Sequence, residues 1–310
     1  MFKKIYKATR IFIGALLAVS GAQTSAQDIT EQVEHRFADS NGVRIHYARM
    51  GSGPLIVMIH GFPDYWYTWR HQMQVLSEHY AVAAMDTRGY NLSDQPEGVE
   101  NYDLTLLVAD VAAVIDAEKA ESATIVGHDW GGGIAWTFAA HRPDLTKHLI
   151  TLNLPHPKSL VRELAKFGQQ HKNSQYARNF QLADSHEKIT VERLAKGLAG
   201  EDEALYEKYH QAFSRSSPEA MMNYYRANYP REPYTSGAFA ELPVVQAPVL
   251  QFHGLNDTAL LSEGLNNTWD YLEKDYTLVT IPGVGHWPHR ERPEQVSNMI
   301  KAWLSLQEGK

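Results

Sequence analysis

Apolar runs and amphipathic stretches alternate along most of this chain. Residues 55–59, 80–85, 123–126, 149–152 and 248–254 are largely unbroken apolar or β-branched, and 276–281 forms a last such run. Strands of a parallel sheet read this way because helices cover both faces. Residues 43–48 instead alternate apolar and polar, as an antiparallel edge strand does. Asn41-Gly42 in front of them is a hairpin-turn signal, and the residues before that read as a polar linker. Residues 104–117 and 293–306 carry apolar positions at helical spacing, and 133–140 is a helix-like run terminated by His141-Arg142-Pro143. From 158 to 241 the pattern changes. Buried-strand runs vanish and helical stretches such as 189–198 and 203–213 take over, with Pro243 and Pro248 bracketing the return to strands. The expected class is α/β, a mostly parallel sheet flanked by helices. Residues 27–157 and 242–310 form its core, and an all-helical lid over 158–241 covers the strand ends where such sheets bind ligands.

One stretch organises the rest. Gly127-His128-Asp129-Trp130-Gly131-Gly132 lies between a predicted strand and a predicted helix. Strand, glycine-flanked turn and helix are the setting of a nucleophile elbow. The glycines let helix and strand pass where a Cβ would clash. The central residue is Asp129 rather than serine. With a pKa near ~4 it is already an anion at neutral pH, and a carboxylate suits displacement at saturated carbon, giving an alkyl ester of the enzyme. An aspartate here would also serve as a plain helix N-cap; its partners favour the chemical role.

Composition narrows the field. Apolar content of 44% and charged content of 21% in 310 residues suit one large domain with an insertion. A net charge of −7 without a basic cluster beyond the N-terminus argues against nucleic-acid binding. No cysteine is present, and no His-x-x-x-His pair lies beside a glutamate, so thiolate chemistry is excluded and a zinc site is not indicated. The one targeting signal is N-terminal. Lys3, Lys4, Lys7 and Arg10 precede a largely apolar stretch, 11–22, too short to span a bilayer comfortably. Small residues ending at Ala22 or Ala26 fit a signal-peptidase site, so 1–26 reads as a signal peptide and the mature chain as periplasmic or secreted, without stable membrane insertion. Cleavage would take the net charge from −7 to about −11.

An anionic nucleophile needs a base for the second step and an acid to orient that base. Asp129, Asp257 and His286 occur in the chain order nucleophile, acid, histidine, each in the loop after a predicted strand. His253 and His289 are weaker candidates for the base. Asn153, after an earlier strand, cannot stabilise an imidazolium as a carboxylate does. The loop His60-Gly61-Phe62-Pro63-Asp64 follows the strand at 55–59, and Pro63 fixes it, with a cis peptide bond as one option. The backbone N–H groups of Phe62 and Trp130 can form an oxyanion hole. Arg88 and Asp94 read as structural residues ordering a long loop.

Over residues 35–306 the chain resembles the α/β-hydrolase superfamily and, within it, the epoxide hydrolases. The likeness rests on His60-Gly61-Phe62-Pro63, the segment 86–94, Gly127-His128-Asp129-Trp130-Gly131-Gly132, Asn153-Leu154-Pro155-His156-Pro157 and Gly283-Val284-Gly285-His286. The resemblance implies two lid tyrosines that hold and protonate an epoxide oxygen. Tyr176 in Ser174-Gln175-Tyr176-Ala177-Arg178 and Tyr225 in Asn223-Tyr224-Tyr225-Arg226 match the family's two segments, with Tyr224 competing for the second role. His60, Pro63, Trp130 and Tyr224 are expected to bind substrate. The expected partners are a small apolar epoxide and water, and no metal or organic cofactor is required. Haloalkane and fluoroacetate dehalogenases are rivals with the same triad. One dehalogenase group needs Asn where Phe62 stands, another needs a lid tryptophan that 158–241 lacks, and the fluoride pocket of the third is not identifiable. A non-catalytic binder would be expected to have lost a triad member, and all three are present.

Overall fold

A computed structural model of the chain describes residues 28–309 apart from 238. The expected signal peptide therefore lies outside the described residues. Residues 28–32 form a small unit of their own, a 3-10 turn (Ile29–Glu31) whose Thr30 N–H bonds the Asp28 carboxylate at 3.1 Å. The rest is a second unit.

In chain order this unit carries β1 (Glu34–Ser40), β2 (Val43–Met50), β3 (Leu55–Ile59), α1 (Arg70–Leu76), β4 (Ala81–Met85), α2 (Leu104–Ala117), β5 (Ala123–His128), α3 (Trp130–His141) and β6 (Thr146–Leu152). Six helices follow: α4 (Pro157–Ala165), α5 (Gln169–Asn173), α6 (Gln175–Phe180), α7 (Val191–Ala199), α8 (Glu203–Ser214) and α9 (Pro218–Asn228). The chain then returns through β7 (Val249–Gly254), β8 (Tyr276–Ile281), α10 (Pro288–Glu291) and α11 (Pro293–Gln307). No strand of the sheet occurs between β6 and β7 among the described residues.

The sheet runs β1-β2-β4-β3-β5-β6-β7-β8. Only the pairs β1–β2 and β2–β4 are antiparallel. Every residue of β3, β4, β5 and β7 is buried, which is why these strands read as continuous apolar runs. Each fully buried Ile or Val there contributes roughly 1.5–3 kcal/mol relative to exposure. α2 buries Leu104, Leu107, Val108, Val111, Val114 and Ile115, one face at helical spacing, and starts where Asp103 accepts from Thr105 N–H.

Two expectations change. The segment read as a linker contains the edge strand β1, and β2 lies inside it rather than at the edge. Ser40 pairs with Val43 across Asn41-Gly42, whose φ values of 54° and 86° are those of a two-residue hairpin turn. β1 escaped notice because its sequence, Glu-His-Arg-Phe-Ala-Asp-Ser, keeps only Ala38 and Ser40 buried. Arg88 is clamped by Asp110 in a buried two-pronged pair (2.6 and 2.7 Å) and ties the loop after β4 to α2.

Candidate active site

The site lies at the C-terminal ends of β3, β5, β6 and β7. β5 ends at His128, and α3 begins at Trp130, so Asp129 alone makes the turn. Its φ of 52° is a left-handed conformation that few side chains adopt without cost. The turn survives because the neighbouring backbone is packed around it. A Cβ on Gly131 would stand 2.1 Å from the Ile59 carbonyl, and one on Gly127 2.1 Å from the Gly131 carbonyl. Helix and strand thus meet backbone to backbone, and the strained Asp129 projects over the end of β3.

There the Phe62 N–H donates to Asp129 Oδ1 at 2.8 Å. Trp130 is the first residue of α3, so its N–H has no intrahelical acceptor. Gly61 is required beside them, since a Cβ would lie 2.4 Å from that of Asp129. The Phe62–Pro63 bond is cis.

His286 Nε2 stands 3.5 Å from Asp129 Oδ2, and its Nδ1 donates to Asp257 Oδ2 at 2.7 Å. Asp257 Oδ1 accepts the N–H groups of Ala259 (2.8 Å) and Leu260 (3.0 Å). Burial alone would raise the Asp257 pKa, but His286, Asn153 and these backbone donors bring it down to about 2. Burial opposes charge on His286, yet the two carboxylates outweigh it and push its pKa up to about 10. Asp129 is likewise held below the usual carboxylate range, despite burial, by His286 and the Phe62 N–H. The resting site is therefore an imidazolium between two carboxylates.

The His286 pKa lies above the ordinary histidine value of 6.5, so its proton stabilises the fold fully below about 6.5, and this is lost as pH rises through about 10. Asp257 has the opposite sign: its contribution is present above 3.8 and is lost as pH falls through about 2. The unfolding free-energy gap between wild type and His286→Gln is expected to narrow by about 4 kcal/mol from pH 6.5 to 10. Urea titrations at several pH values measure it, and a constant gap would contradict the assignment.

Asn153 has a part the sequence did not reveal. With φ 43°, it donates through Nδ2 to Asp257 Oδ2 (2.8 Å) and to the Gly285 carbonyl (3.1 Å), and accepts the Gly254 N–H (2.9 Å). It joins the strand ends carrying the acid and the base. Asn153→Leu removes all three bonds, leaves the buried Gly254 N–H without its acceptor and Asp257 Oδ2 with His286 alone, and should cost about 2–3 kcal/mol in urea denaturation, with activity reduced about tenfold. His128 is a second such residue. Burial lowers its pKa to about 3, so it is neutral and donates Nε2–H to the His286 carbonyl at 2.7 Å.

A narrow apolar cavity opens above Asp129, lined also by Trp130, Tyr176, Tyr225, Tyr229 and Phe239, among others. Tyr176 comes from α6 and Tyr225 from α9, with ring centroids 6.4 Å apart. Gln181, capping α6, donates to the carbonyls of Tyr225 (3.2 Å) and Tyr229 (2.9 Å), so the two helices are clipped together behind the phenols. Burial, reinforced by Asp129, pushes both phenols well above 10, so each holds its proton.

Other expected binding residues lie elsewhere. Tyr224 is fully buried and donates to the Arg88 carbonyl at 2.8 Å, one helical step around α9 from the cavity face. His60 donates Nδ1–H to the Gly61 carbonyl and accepts the Thr87 N–H, so it braces the loop. Neither these two nor Pro63 lines the cavity. His289 bonds Thr68, and His253, though buried near Asp257, makes no contact with Asp129. Among the described residues no group of three or more His, Asp or Glu side chains is arranged to hold a metal ion, and no helix is long and apolar enough to cross a membrane.

A mainly parallel eight-stranded sheet with Asp129 after β5, Asp257 after β7 and His286 after β8, the three meeting at one edge, defines an α/β-hydrolase-fold enzyme. Residues 54–293 match the family described as alpha/beta hydrolase fold, and the chain belongs to it. It is 34% identical to the AB hydrolase superfamily protein YfhM of Bacillus subtilis, over 89% of this chain and 99% of that protein. It is 32% identical to epoxide hydrolase 1 of Caenorhabditis elegans, over 91% of this chain and 73% of that protein. An epoxide hydrolase of Bacillus megaterium superposes with a TM-score of 0.82 at 31% identity, covering 87% of this chain and all of that one. A variant of that enzyme has been crystallised with its product, a naphthyloxy-propanediol. With such homologues, this chain is a hydrolase.

Proposed function

We propose that the protein is an epoxide hydrolase working through a covalent ester of Asp129. The observation that carries this reading is the cavity itself, in which the Asp129 carboxylate and two protonated phenols, Tyr176 and Tyr225, share one apolar chamber. A strained ring opens to an alkoxide, a poor leaving group, so a proton must be supplied late in the step. Phenols that keep their protons through neutral pH can supply it. A departing halide would need N–H donors instead.

Asp129 attacks a ring carbon, and the C–O bond breaks. The oxygen takes a proton through Tyr176 or Tyr225, and the His286 imidazolium makes good the proton. Esterification removes one of the two negative charges beside His286, so its pKa falls and it becomes a neutral base. It then takes a proton from water, which attacks the Asp129 carboxyl carbon, while the Phe62 and Trp130 N–H groups hold the oxyanion. Collapse frees the vicinal diol and restores the carboxylate and the imidazolium.

The direct test offers purified protein styrene oxide, an aliphatic epoxide and a bromoalkane. Diol from an epoxide supports the reading. Bromide release without diol would move the enzyme to the dehalogenases. We also propose export of the mature chain, for which the basic, apolar and small-residue order of 1–26 is the support. N-terminal sequencing after cell fractionation tests it: an uncleaved cytosolic chain would end the proposal.

A further inference from the structure

The cavity has a third phenol that the mechanism leaves unused. Tyr229 lies one turn beyond Tyr225, at the C-cap of α9, and lines the same chamber. It is 7% exposed, and its hydroxyl is buried without a hydrogen-bond partner. The neighbouring Ser174 hydroxyl accepts from Gln170 at 2.8 Å. The backbone is fixed on both sides. Tyr229 N–H donates to the Tyr225 carbonyl (3.1 Å), and its carbonyl accepts from Gln181 (2.9 Å).

The Tyr229 ring centroid lies 6.2 Å from that of Tyr225, and Asp129 lines the same chamber. Burial pushes the Tyr229 phenol up to about 12, so it stays a donor. Apart from Asp129 and the three tyrosines, the chamber is lined by Trp130, Gly133, Leu154, Leu160, Phe239 and Leu260. One polar atom, left unsatisfied in an otherwise apolar wall, costs stability unless a ligand completes it.

We propose that Tyr229 determines specificity by hydrogen-bonding an oxygen on the substrate's side arm, one that the two-tyrosine clamp does not hold. The inference rests on the epoxide reading above and refines it. The favoured substrates are epoxides whose ring carbon carries an oxygen-bearing arm, an ether or a hydroxyl, followed by an apolar group. Tyr229 is a positioning residue here, since it touches the arm and not the ring being opened.

The experiment compares wild type with Tyr229→Phe, which removes only the hydroxyl. The probes are phenyl glycidyl ether and its carbon isostere, in which a methylene replaces the ether oxygen. Expected is a loss in kcat/KM of about tenfold for the ether and less than twofold for the isostere. Tryptophan-fluorescence titrations with the two product diols should show the same contrast in binding. An equal loss for both epoxides would mean that Tyr229 serves the ring oxygen or packing, and would overturn the inference. No change for either would overturn it too. A wild type that opens neither epoxide would instead remove the epoxide reading on which the inference stands.

Discussion

His286→Gln is expected to react once with an epoxide and then stop, with kcat reduced about 10⁴-fold or more. The two steps make different demands on this residue. In the first, attack needs no base: the Phe62 N–H still supports the Asp129 anion, and water can return to the phenols the proton that His286 would have given. In the second, water must lose a proton within reach of the Asp129 carboxyl carbon. His286 Nε2, 3.5 Å from Asp129 Oδ2 and anchored through Nδ1 to Asp257, is the group placed to take it. Glutamine has no basic nitrogen, so the ester should accumulate. Intact-protein mass spectrometry should find a gain equal to one whole epoxide molecule, since ring opening expels nothing. The gain should vanish when Asp129→Ala is added. Near-normal turnover by His286→Gln would refute the assignment of the base.

The double change Tyr176→Phe with Tyr225→Phe should slow ester formation by about 10³-fold, the scale of positioned general acids. Each single change should cost less, about 10- to 100-fold, because the remaining phenol still reaches the oxygen. The rings stay, so the edge contacts of Tyr225 with Trp130 (5.0 Å) and Phe62 (5.7 Å) keep the chamber filled. Stopped-flow tryptophan fluorescence reads the step, with Trp130 as the reporter beside the reacting centre. A bromoalkane serves as control, since halide departure needs no proton. If the double variant slowed both reagents alike, the tyrosines would be shaping the cavity rather than protonating a leaving oxygen.

These predictions draw on different depths of information. Asp129, Asp257 and His286 were legible in the chain because each sits in the loop that follows an apolar or β-branched run. In a parallel sheet all such loops emerge at one edge, so chain order predicts spatial convergence. Tyr176 and Tyr225 were accessible only through family resemblance, since their helices have no regular relation to the sheet. Tyr224 and Tyr225 differ by one position, about 100° around α9, and nothing local says which face meets the cavity. The fold decides it: the Arg88 carbonyl, held by the Arg88–Asp110 pair, takes the Tyr224 hydroxyl and leaves Tyr225 facing Asp129. Asn153 and Gln181 gave no local signal either, because each joins segments far apart in sequence.

By itself, the order of residues determined most of the strands, the elbow and the succession of candidate catalytic side chains, because these depend on local periodicity and backbone conformation. β1 marks the limit of that reasoning, since an edge strand half in water loses the apolar pattern that identifies its neighbours. Only the tertiary structure decided the protonation of His286, which reflects two carboxylates brought from distant loops into one buried space. The same holds for the cavity wall and the orphaned Tyr229 hydroxyl. Burial, and the lack of a partner within it, are properties of the packed molecule and are written in no single segment of the chain.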